Sequence, residues 1–190
     1  MTLLVKNLSC SLSGRKIISD INFSLKTGEI LKISGENGSG KTTLLRTISG
    51  LSSFESGEIL INKKEIFLLG HNAGIKQNLT VEEDLEFWSN FYQNKHDDII
   101  LKKLNLKSKM HSQCRYLSQG QKQKLALTRL FCSNKSIWLL DEPFSFLDEE
   151  SSIFLLNKIE KHRQNDGIAI IVSHQNLIKN IDFSINLGAQ

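Results

Sequence analysis

The feature that most constrains this chain is a glycine-rich stretch between an apolar segment and a helical one. Residues 35–43 have the sequence GENGSGKTT, which fits the phosphate-loop pattern G-x-x-x-x-G-K-[ST]. The apolar run 30–33 predicts a strand before it, and residues 41–49 predict a helix after it that ends at Gly50. Glycine lets the backbone bring its N–H groups close to a polyphosphate, and the helix N-terminus adds a positive field. The residues expected to hold phosphate are Gly35, Glu36, Asn37, Gly38, Ser39, Gly40, Lys41, Thr42 and Thr43.

Two side chains of this loop have specific expected roles. Lys41 is expected to reach the β- and γ-phosphates, and the Thr42 hydroxyl is expected to hold Mg²⁺. The alternative is a glycine-rich turn that contains Lys-Thr by chance. The strand–loop–helix setting argues against that alternative.

The size and charge of the chain indicate one α/β domain without an obvious nucleic-acid partner. Its 190 residues are 39% hydrophobic, enough for a substantial core with a small inserted subdomain. The net charge of +4 permits an acidic partner such as a nucleotide or an anionic membrane surface. Lysines are interspersed with Asp and Glu and form no basic block, so we expect no binding to nucleic acid.

The cysteines and the apolar segments indicate where such a chain would work. Cys10, Cys114 and Cys132 are odd in number and far apart, and no C-x-x-C pair suggests zinc or redox chemistry. We therefore expect reduced thiols in a cytosolic protein. The first residues contain too short an apolar run for a signal peptide, and no stretch approaches the roughly 20 apolar residues that span a bilayer. A role at a membrane would be that of a peripheral subunit.

Apolar or alternating runs predict strands in both halves of the chain but not in its middle. The predicted strands span 3–5, 21–25, 30–33, 58–61, 66–69, 137–140, 168–172 and 183–187. Between about 72 and 116 only helical patterns occur. We therefore predict a single domain over 1–190, with a small helical subdomain at approximately 72–133 inserted between sheet strands.

Capping patterns predict where the later helices begin. Either Asp148 or Ser151 can cap a helix that continues to about residue 163. Two capping boxes predict two further helix N-termini: Thr80 with Glu83, and Ser118 with Gln121. Aromatic residues of the first of these helices are interpreted as core or as a partner groove rather than a cofactor site: Trp88, Phe91 and Tyr92.

Several polar residues follow predicted strands or begin a helix, where a sheet of this class presents its ligand groups. Asp141 ends a buried strand and is expected to hold Mg²⁺ through its water shell, while Glu142 is expected to orient or deprotonate the attacking water. Ser118 and Gly120 at a helix N-terminus form an anion site of their own. His174 ends the next strand, at a position able to face a γ-phosphate.

In this order, the motifs resemble those of the ATP-binding-cassette (ABC) ATPases over essentially the whole chain. Residues 35–43 resemble the Walker A loop and 137–141 the Walker B strand, with the catalytic acid following. Residues 117–121 resemble the signature motif, 146–148 the D-loop, and His174 the switch histidine. The resemblance implies a P-loop NTPase core with a mixed, mainly parallel sheet, an N-terminal antiparallel β part and an inserted helical subdomain.

The resemblance also implies a mechanism and partners. ATP would be held, with Mg²⁺, between the phosphate loop of one cassette and the signature helix of a second copy in a head-to-tail homodimer. Hydrolysis, with Glu142 and His174 as catalytic residues, would open the dimer and move attached integral membrane subunits. The nucleotide contacts contributed by the signature and D-loop segments would come from Ser118, Gly120, Gln121 and Asp148.

Three positions depart from the family pattern. Gln119 replaces the first glycine of the signature, but Ser118 and Gly120 remain, so we expect activity to survive. His71 stands where the Q-loop glutamine is usual, and it could still sense nucleotide through an imidazole nitrogen. Leu12 occupies the place of the aromatic residue that stacks on adenine, so base binding is expected to be weaker unless Arg15 stacks instead.

A narrower resemblance comes from the segments 70–76, GHNAGIK, and 79–88, LTVEEDLEFW. Both are similar to the haem-exporter ATPase subunits of bacterial cytochrome c maturation. That family implies a peripheral subunit at the cytoplasmic face of the inner membrane, which uses ATP to release a haem-loaded chaperone. Haem would be handled by the partners, because no His or Cys pair in this chain has convincing spacing.

Three alternatives remain open at the level of sequence. The chain could be the ATPase of another ABC transporter, against which the Gly70-His71 pair argues. It could be a soluble ABC ATPase of iron–sulfur assembly. It could also be a non-catalytic nucleotide-binding module, although Glu142 and His174 argue against that interpretation.

Overall fold

In the computed structural model, which describes residues 2–12 and 15–188, eight strands and five α-helices follow one another along the described chain. The strands are β1 Thr2–Leu12, β2 Arg15–Lys26, β3 Ile30–Gly35, β4 Ser56–Leu60, β5 Ile66–Leu69, β6 Ile137–Asp141, β7 Ile168–Val172 and β8 Phe183–Leu187. The helices are α1 Lys41–Ile48, α2 Val81–Tyr92, α3 Asp98–Lys103, α4 Gln119–Cys132 and α5 Glu149–Gln164. They divide between two units. The first comprises the described residues of 1–71, 136–143 and 159–190, and the second comprises 72–135 and 144–158.

A five-stranded parallel sheet organises the first unit, with strand order β5-β6-β7-β3-β8. Every residue of β6 and of β7 is buried, as expected for parallel strands covered on both faces. Because neighbouring strands run in the same direction, their carboxyl ends meet at one edge of the sheet. Asp141 lies opposite Val172 there, and Gly35 lies opposite Leu187. This edge positions the phosphate loop and the acidic residues.

A second sheet of the first unit is antiparallel, with strand order β2-β1-β4. Its strands β1 and β2 are much longer than the runs 3–5 and 21–25 predicted from the sequence, so those predictions were too short. The cause is a change of register after Val5, where the buried positions shift from Leu3 and Val5 to Leu8 and Cys10. Because the alternation of buried and exposed side chains is interrupted there, the sequence pattern does not show that the strand continues. The expected fold class, an α/β core with an antiparallel β part, is confirmed.

The second unit is built largely from helices whose starts agree with the sequence. Both predicted capping boxes form, Thr80 with Glu83 at α2 and Ser118 with Gln121 at α4. The buried side chain of Arg129 on α4 donates two hydrogen bonds to the buried carboxylate of Asp84 on α2, at 2.6 and 3.2 Å. The same guanidinium lies 4.9 Å from the ring of Trp88 and donates to the carbonyl of Ala73 at 2.9 Å. These contacts join both helices to the segment after residue 71.

The aromatic residues of α2 are not all core. Phe91 is 65% exposed and Phe87 is 45% exposed, so the core interpretation is wrong for Phe91. The reason is geometric, because the aromatic residues contact one another along the helix face while only Trp88 and Tyr92 are partly buried. Among the described residues, no helix is long and apolar enough to cross a membrane. The three cysteines are free and buried: Cys10, Cys114 and Cys132.

Candidate functional site

The phosphate loop connects β3 to α1 in a conformation that needs glycine. Gly40, the residue before α1, has φ 97°, and a Cβ placed on Gly35 would lie 2.2 Å from the Leu187 carbonyl oxygen. No side chain caps the N-terminus of α1, whereas capping boxes occupy the N-termini of α2 and α4. The first-turn N–H groups of α1 are therefore available to an anion.

Lys41 is already oriented within the loop. Its buried ammonium group donates to the carbonyl oxygens of Gly35 at 2.8 Å and Glu36 at 2.7 Å, so it lies inside the curve of the loop. The hydroxyl of Ser39 is buried and has no hydrogen-bond partner among the described residues. A buried hydroxyl without a partner costs free energy, which a bound phosphate oxygen would recover. The loop therefore fits a polyphosphate.

Thr42 and Asp141, predicted from separate motifs, meet in the structure. The Thr42 hydroxyl donates to Asp141 Oδ2 at 2.7 Å across 99 residues of sequence. Asp141 is the last residue of β6 and is 3% exposed. One hydroxyl and one carboxylate are hard oxygen donors of the kind that Mg²⁺ takes, usually together with phosphate oxygens of a substrate. The pair therefore fits the expected metal.

Glu142 and His174, which were predicted separately as site residues, lie close together in the structure. Glu142 has φ 50°, and this positive angle changes the direction of the chain directly after β6. The N–H of Glu142 donates to the Val172 carbonyl oxygen at 3.0 Å. The Nε2 atom of His174 lies 3.5 Å from Glu142 Oε1, too far for a good hydrogen bond. Oε1 is buried and accepts no hydrogen bond from the described residues. It is an acceptor without a donor.

His174 and the phosphate loop line the same cavity, which has a volume of about 610 Å³. It is lined by Ser34, Gly35, Glu36, Asn37, His174 and Asn186. The remaining predicted residues lie as follows. Glu36, Asn37 and Gly38 are exposed in the loop, Thr43 is half-buried in α1, and His71 is exposed after β5. Leu12 ends β1 opposite Arg15, and the side chains of both lie outside the described residues.

The signature residues are in the second unit. Ser118 Oγ accepts the Gln121 N–H at 3.2 Å, and Gln121 Oε1 accepts the Ser118 N–H at 2.9 Å. The cap uses Ser118 as an acceptor, so its hydroxyl hydrogen remains available to a ligand. Gly120 lies in the first turn of α4, and a Cβ there would lie 2.6 Å from the Phe146 carbonyl oxygen.

Asp148 caps α5 and pairs with Lys124, which was not among the residues predicted from the sequence. Its Oδ1 accepts the Ser151 N–H at 2.9 Å, which resolves the choice of cap in favour of Asp148. Its Oδ2 accepts a hydrogen bond from Lys124 Nζ at 2.5 Å. The pKa of Asp148 is lowered to about 2. The hydrogen bond from the Lys124 ammonium has the largest effect, and the hydrogen bonds from Ser151 come next. A signal was present, because Lys124 follows Gly120 by four residues and so lies on the same face of α4.

The fold and the phosphate-loop geometry define an ATP-hydrolysing cassette. The family model described as "ABC transporter" matches residues 18–145, and the chain therefore belongs to the ABC transporter family as an ABC-type ATPase. Named relatives point to one branch of that family. The "Cytochrome c biogenesis ATP-binding export protein CcmA" of Haemophilus ducreyi is 35% identical, covering 94% of this chain and 92% of that protein. The protein of the same name from Paracoccus denitrificans is 37% identical, covering 92% and 83%.

A solved structure agrees with the fold. The "Putative ABC transporter (ATP-binding protein)" from Pyrococcus furiosus superposes with a TM-score of 0.81 at 28% identity, covering 98% of both chains. The family match confirms the resemblance to the ABC ATPases, and the names of these relatives confirm the narrower resemblance to the ATP-binding subunits of cytochrome c biogenesis.

Proposed function

We propose that this chain is the ATP-hydrolysing subunit of a haem exporter that serves cytochrome c maturation, and that it works as a head-to-tail homodimer. The support for the pathway is the group of relatives named for cytochrome c biogenesis, which match at least 90% of this chain at 34–38% identity. The segments 70–76 and 79–88, which first suggested this family, lie within that match.

The observation that carries the ATPase chemistry is the meeting of Thr42 with Asp141 beside the phosphate loop. These two oxygen donors would hold Mg²⁺, which supplies positive charge to the phosphates when bound. Lys41 would move its ammonium from the carbonyls of Gly35 and Glu36 to the β- and γ-phosphates. The first-turn N–H groups of α1 and the Ser39 hydroxyl would complete the phosphate contacts.

Glu142 is the group we propose to activate water. Its Oε1 atom lacks a donor, so a water molecule that donates a hydrogen bond to it is stabilised and loses a proton toward it. The imidazole of His174, 3.5 Å away, would contact the γ-phosphate that faces the shared cavity. Both residues act directly on the reacting atoms and are proposed as the catalytic residues.

The second half of the nucleotide site would come from a second copy of the chain. Ser118 is exposed and retains its hydroxyl hydrogen, and Gly120 offers a backbone N–H, so both can donate to a γ-phosphate. Gln121 and Asp148 would add the remaining contacts of the signature and D-loop segments. His71 is exposed and could sense nucleotide through its imidazole, and Leu12 would lie near the base.

The partners in the membrane would be integral subunits of the exporter. Membership of the ABC transporter family supports such partners. The exposed rings of Phe87 and Phe91 on α2, with the Lys76 ammonium 5.0 Å from the Phe87 ring centroid, offer an apolar surface to one of them. The chain would then be held at the cytoplasmic face of the bacterial inner membrane. Haem would be bound by the partners, and nucleic acid would not be.

The test is complementation of a bacterium whose cytochrome c maturation ATPase has been deleted. The wild-type chain should restore covalently haem-bound cytochrome c, whereas Lys41→Ala, which removes the phosphate-contacting ammonium, should not. Affinity capture from gently solubilised membranes should recover the integral maturation proteins. Equal restoration of cytochrome c by the wild-type chain and by Lys41→Ala would contradict the proposal. Recovery of soluble iron–sulfur scaffold proteins instead would favour the second candidate, an ATPase of iron–sulfur assembly.

A further inference from the structure

An ion pair in the second unit connects the signature helix to the D-loop. Lys124 of α4 donates to Asp148 Oδ2 at 2.5 Å, and the Lys124 side chain is only 9% exposed while that of Asp148 is 53% exposed. Four residues earlier on α4, Gly120 lies against the Phe146 carbonyl, 2.6 Å from where its Cβ would stand. Segment 146–148 therefore touches α4 at two points on one face of the helix.

The backbone between those two points is strained. Phe146 has φ 63°, a backbone conformation that bulky side chains rarely adopt and that is unfavourable for them. Burial of the side chain does not anchor it, because Phe146 is 66% exposed. Such a conformation persists only where neighbouring contacts hold it. The contacts present are the Leu147 N–H bond to the Phe144 carbonyl at 3.3 Å and the bonds that fix Asp148.

We propose that Lys124 is a positioning residue for ATP hydrolysis, which acts through Asp148 to hold segment 146–148 against the first turn of α4. Ser118, Gly120 and the D-loop are thereby presented as one rigid surface to the nucleotide of the second copy. This inference rests on the ATPase dimer proposed above. Lys124 itself does not contact nucleotide, so its loss should affect turnover more than binding.

The charge state of the pair supports this role. The hydrogen bond from Lys124 is the largest cause that lowers the pKa of Asp148 to about 2, so the carboxylate stays ionised at more acidic pH than an ordinary aspartate does. The buried Lys124 ammonium has this carboxylate directly beside it, so the pair is not an exposed ion pair of little consequence. Removing the ammonium leaves Asp148 with the Ser151 donors alone, and the strained peptide at Phe146 can then relax.

The test compares Lys124→Gln and Lys124→Arg with a matched control, Lys107→Gln. Lys107 makes a Lys–Asp pair with Asp98 at 2.8 Å, but both side chains are more than half exposed. Lys124→Gln should lower kcat on the order of tenfold while the dissociation constant of a fluorescent ATP analogue for the monomer stays within about twofold. Lys124→Arg should retain most of the turnover, and Lys107→Gln should be unchanged. Equal kcat values for Lys124→Gln and Lys107→Gln would overturn the proposal.

A second variant and a second measurement separate positioning from misfolding. Phe146→Gly adopts a positive φ without strain, so adding it to Lys124→Gln should recover at least part of the lost kcat. Amide hydrogen exchange at Leu147 should accelerate in Lys124→Gln and not in Lys107→Gln, and this measurement needs no turnover. A wild-type chain without ATPase activity would reject the proposed function, while the exchange result alone would still decide whether Lys124 anchors the segment.

Discussion

At the scale of single residues, Glu142 is the sharpest test of the proposed chemistry. Glu142→Gln keeps the size and the hydrogen-bonding oxygen but cannot accept a proton, so the hydrolysis rate should fall by about 10²–10⁴-fold. ATP binding should persist, because Lys41 and the loop are untouched, and an ATP-loaded dimer should accumulate. Steady-state phosphate release and size-exclusion chromatography with ATP would measure both effects.

The matched control for this variant is Glu55→Gln, which removes the charge of an exposed glutamate outside the site. Its rate should equal that of the wild type. A Glu142→Gln chain that hydrolyses ATP at the wild-type rate would remove Glu142 from the mechanism and leave His174 as the remaining candidate.

Residues placed by a motif of fixed spacing or by the carboxyl ends of parallel strands could be predicted from the sequence, whereas pairs between packed helices could not. Lys41 lies in a loop whose fixed spacing brings its ammonium back to the carbonyls of residues five and six positions earlier. Lys124 and Arg129 instead pair with acids 24 and 45 residues away. Spacing along a chain does not determine such pairs, because they depend on how the helices pack.

At the scale of elements, the buried pair of Arg129 and Asp84 is expected to stabilise the contact of α4 with α2. Arg129→Leu would leave the Asp84 carboxylate buried without its partner, which should lower the free energy of unfolding by about 3–5 kcal/mol. Replacing both residues with leucine should recover much of that loss, because no charge is then left buried. Urea unfolding of the single and double variants measures the interaction, and simple additivity of the two changes would contradict it.

The end of α5 contains a histidine whose burial links stability to pH. The His162 ring stacks on Trp138 of β6 at 3.8 Å between centroids, and its Nε2 lies 3.2 Å from the Ile168 carbonyl oxygen. Burial lowers the pKa of His162 below its ordinary 6.5, against the opposing effect of carbonyl hydrogen bonds. The folded state therefore binds fewer protons than the unfolded chain. The contribution of neutral His162 to the free energy of unfolding should be fully present above pH 6.5. It should decrease as the pH falls below 6.5.

Urea midpoints measured between pH 7.5 and 5.5 test this expectation. His162→Phe preserves an aromatic stack on Trp138 but cannot titrate, so its midpoint should depend less on pH than that of the wild type. Part of the dependence should remain, because burial also lowers the pKa of His96. The control is His111→Gln at an exposed position. An unchanged slope in His162→Phe would show that this histidine does not carry the effect.

The strands β6 and β1 show why the approximate positions of strands could be predicted but the residues at which some of them end could not. The buried run of β6 is bounded by polar residues, so its position followed from composition alone. In β1 the register shifts and the positive φ of Asn7 change which face each residue occupies. A period of two is lost across such a shift, although the hydrogen-bonded ladder continues on the other side of it.

At the scale of the whole molecule, the phosphate loop and the predicted signature residues of one chain lie on different units. If two copies must combine them, specific ATPase activity should rise with chain concentration and level off once the dimer is populated. Activity assays over a hundredfold range of concentration, at saturating ATP, would measure this. Specific activity that is constant across the whole range, with a monomer by light scattering, would contradict the head-to-tail arrangement.

The exposed aromatic face of α2 is the surface that we propose for the membrane partner. Changing Phe87 and Phe91 together to serine removes apolar surface that is already exposed, so the fold and the ATPase rate of the isolated chain should change little. If an integral subunit covers these rings, the same variant should fail to restore cytochrome c maturation and should no longer be captured with the membrane proteins. Phe54→Ser, at another partly exposed phenylalanine, is the control and should behave as the wild type. Full restoration by the double variant would mean that the membrane subunit docks elsewhere, because apolar contacts at a covered interface are expensive to lose whereas exposed ones are not.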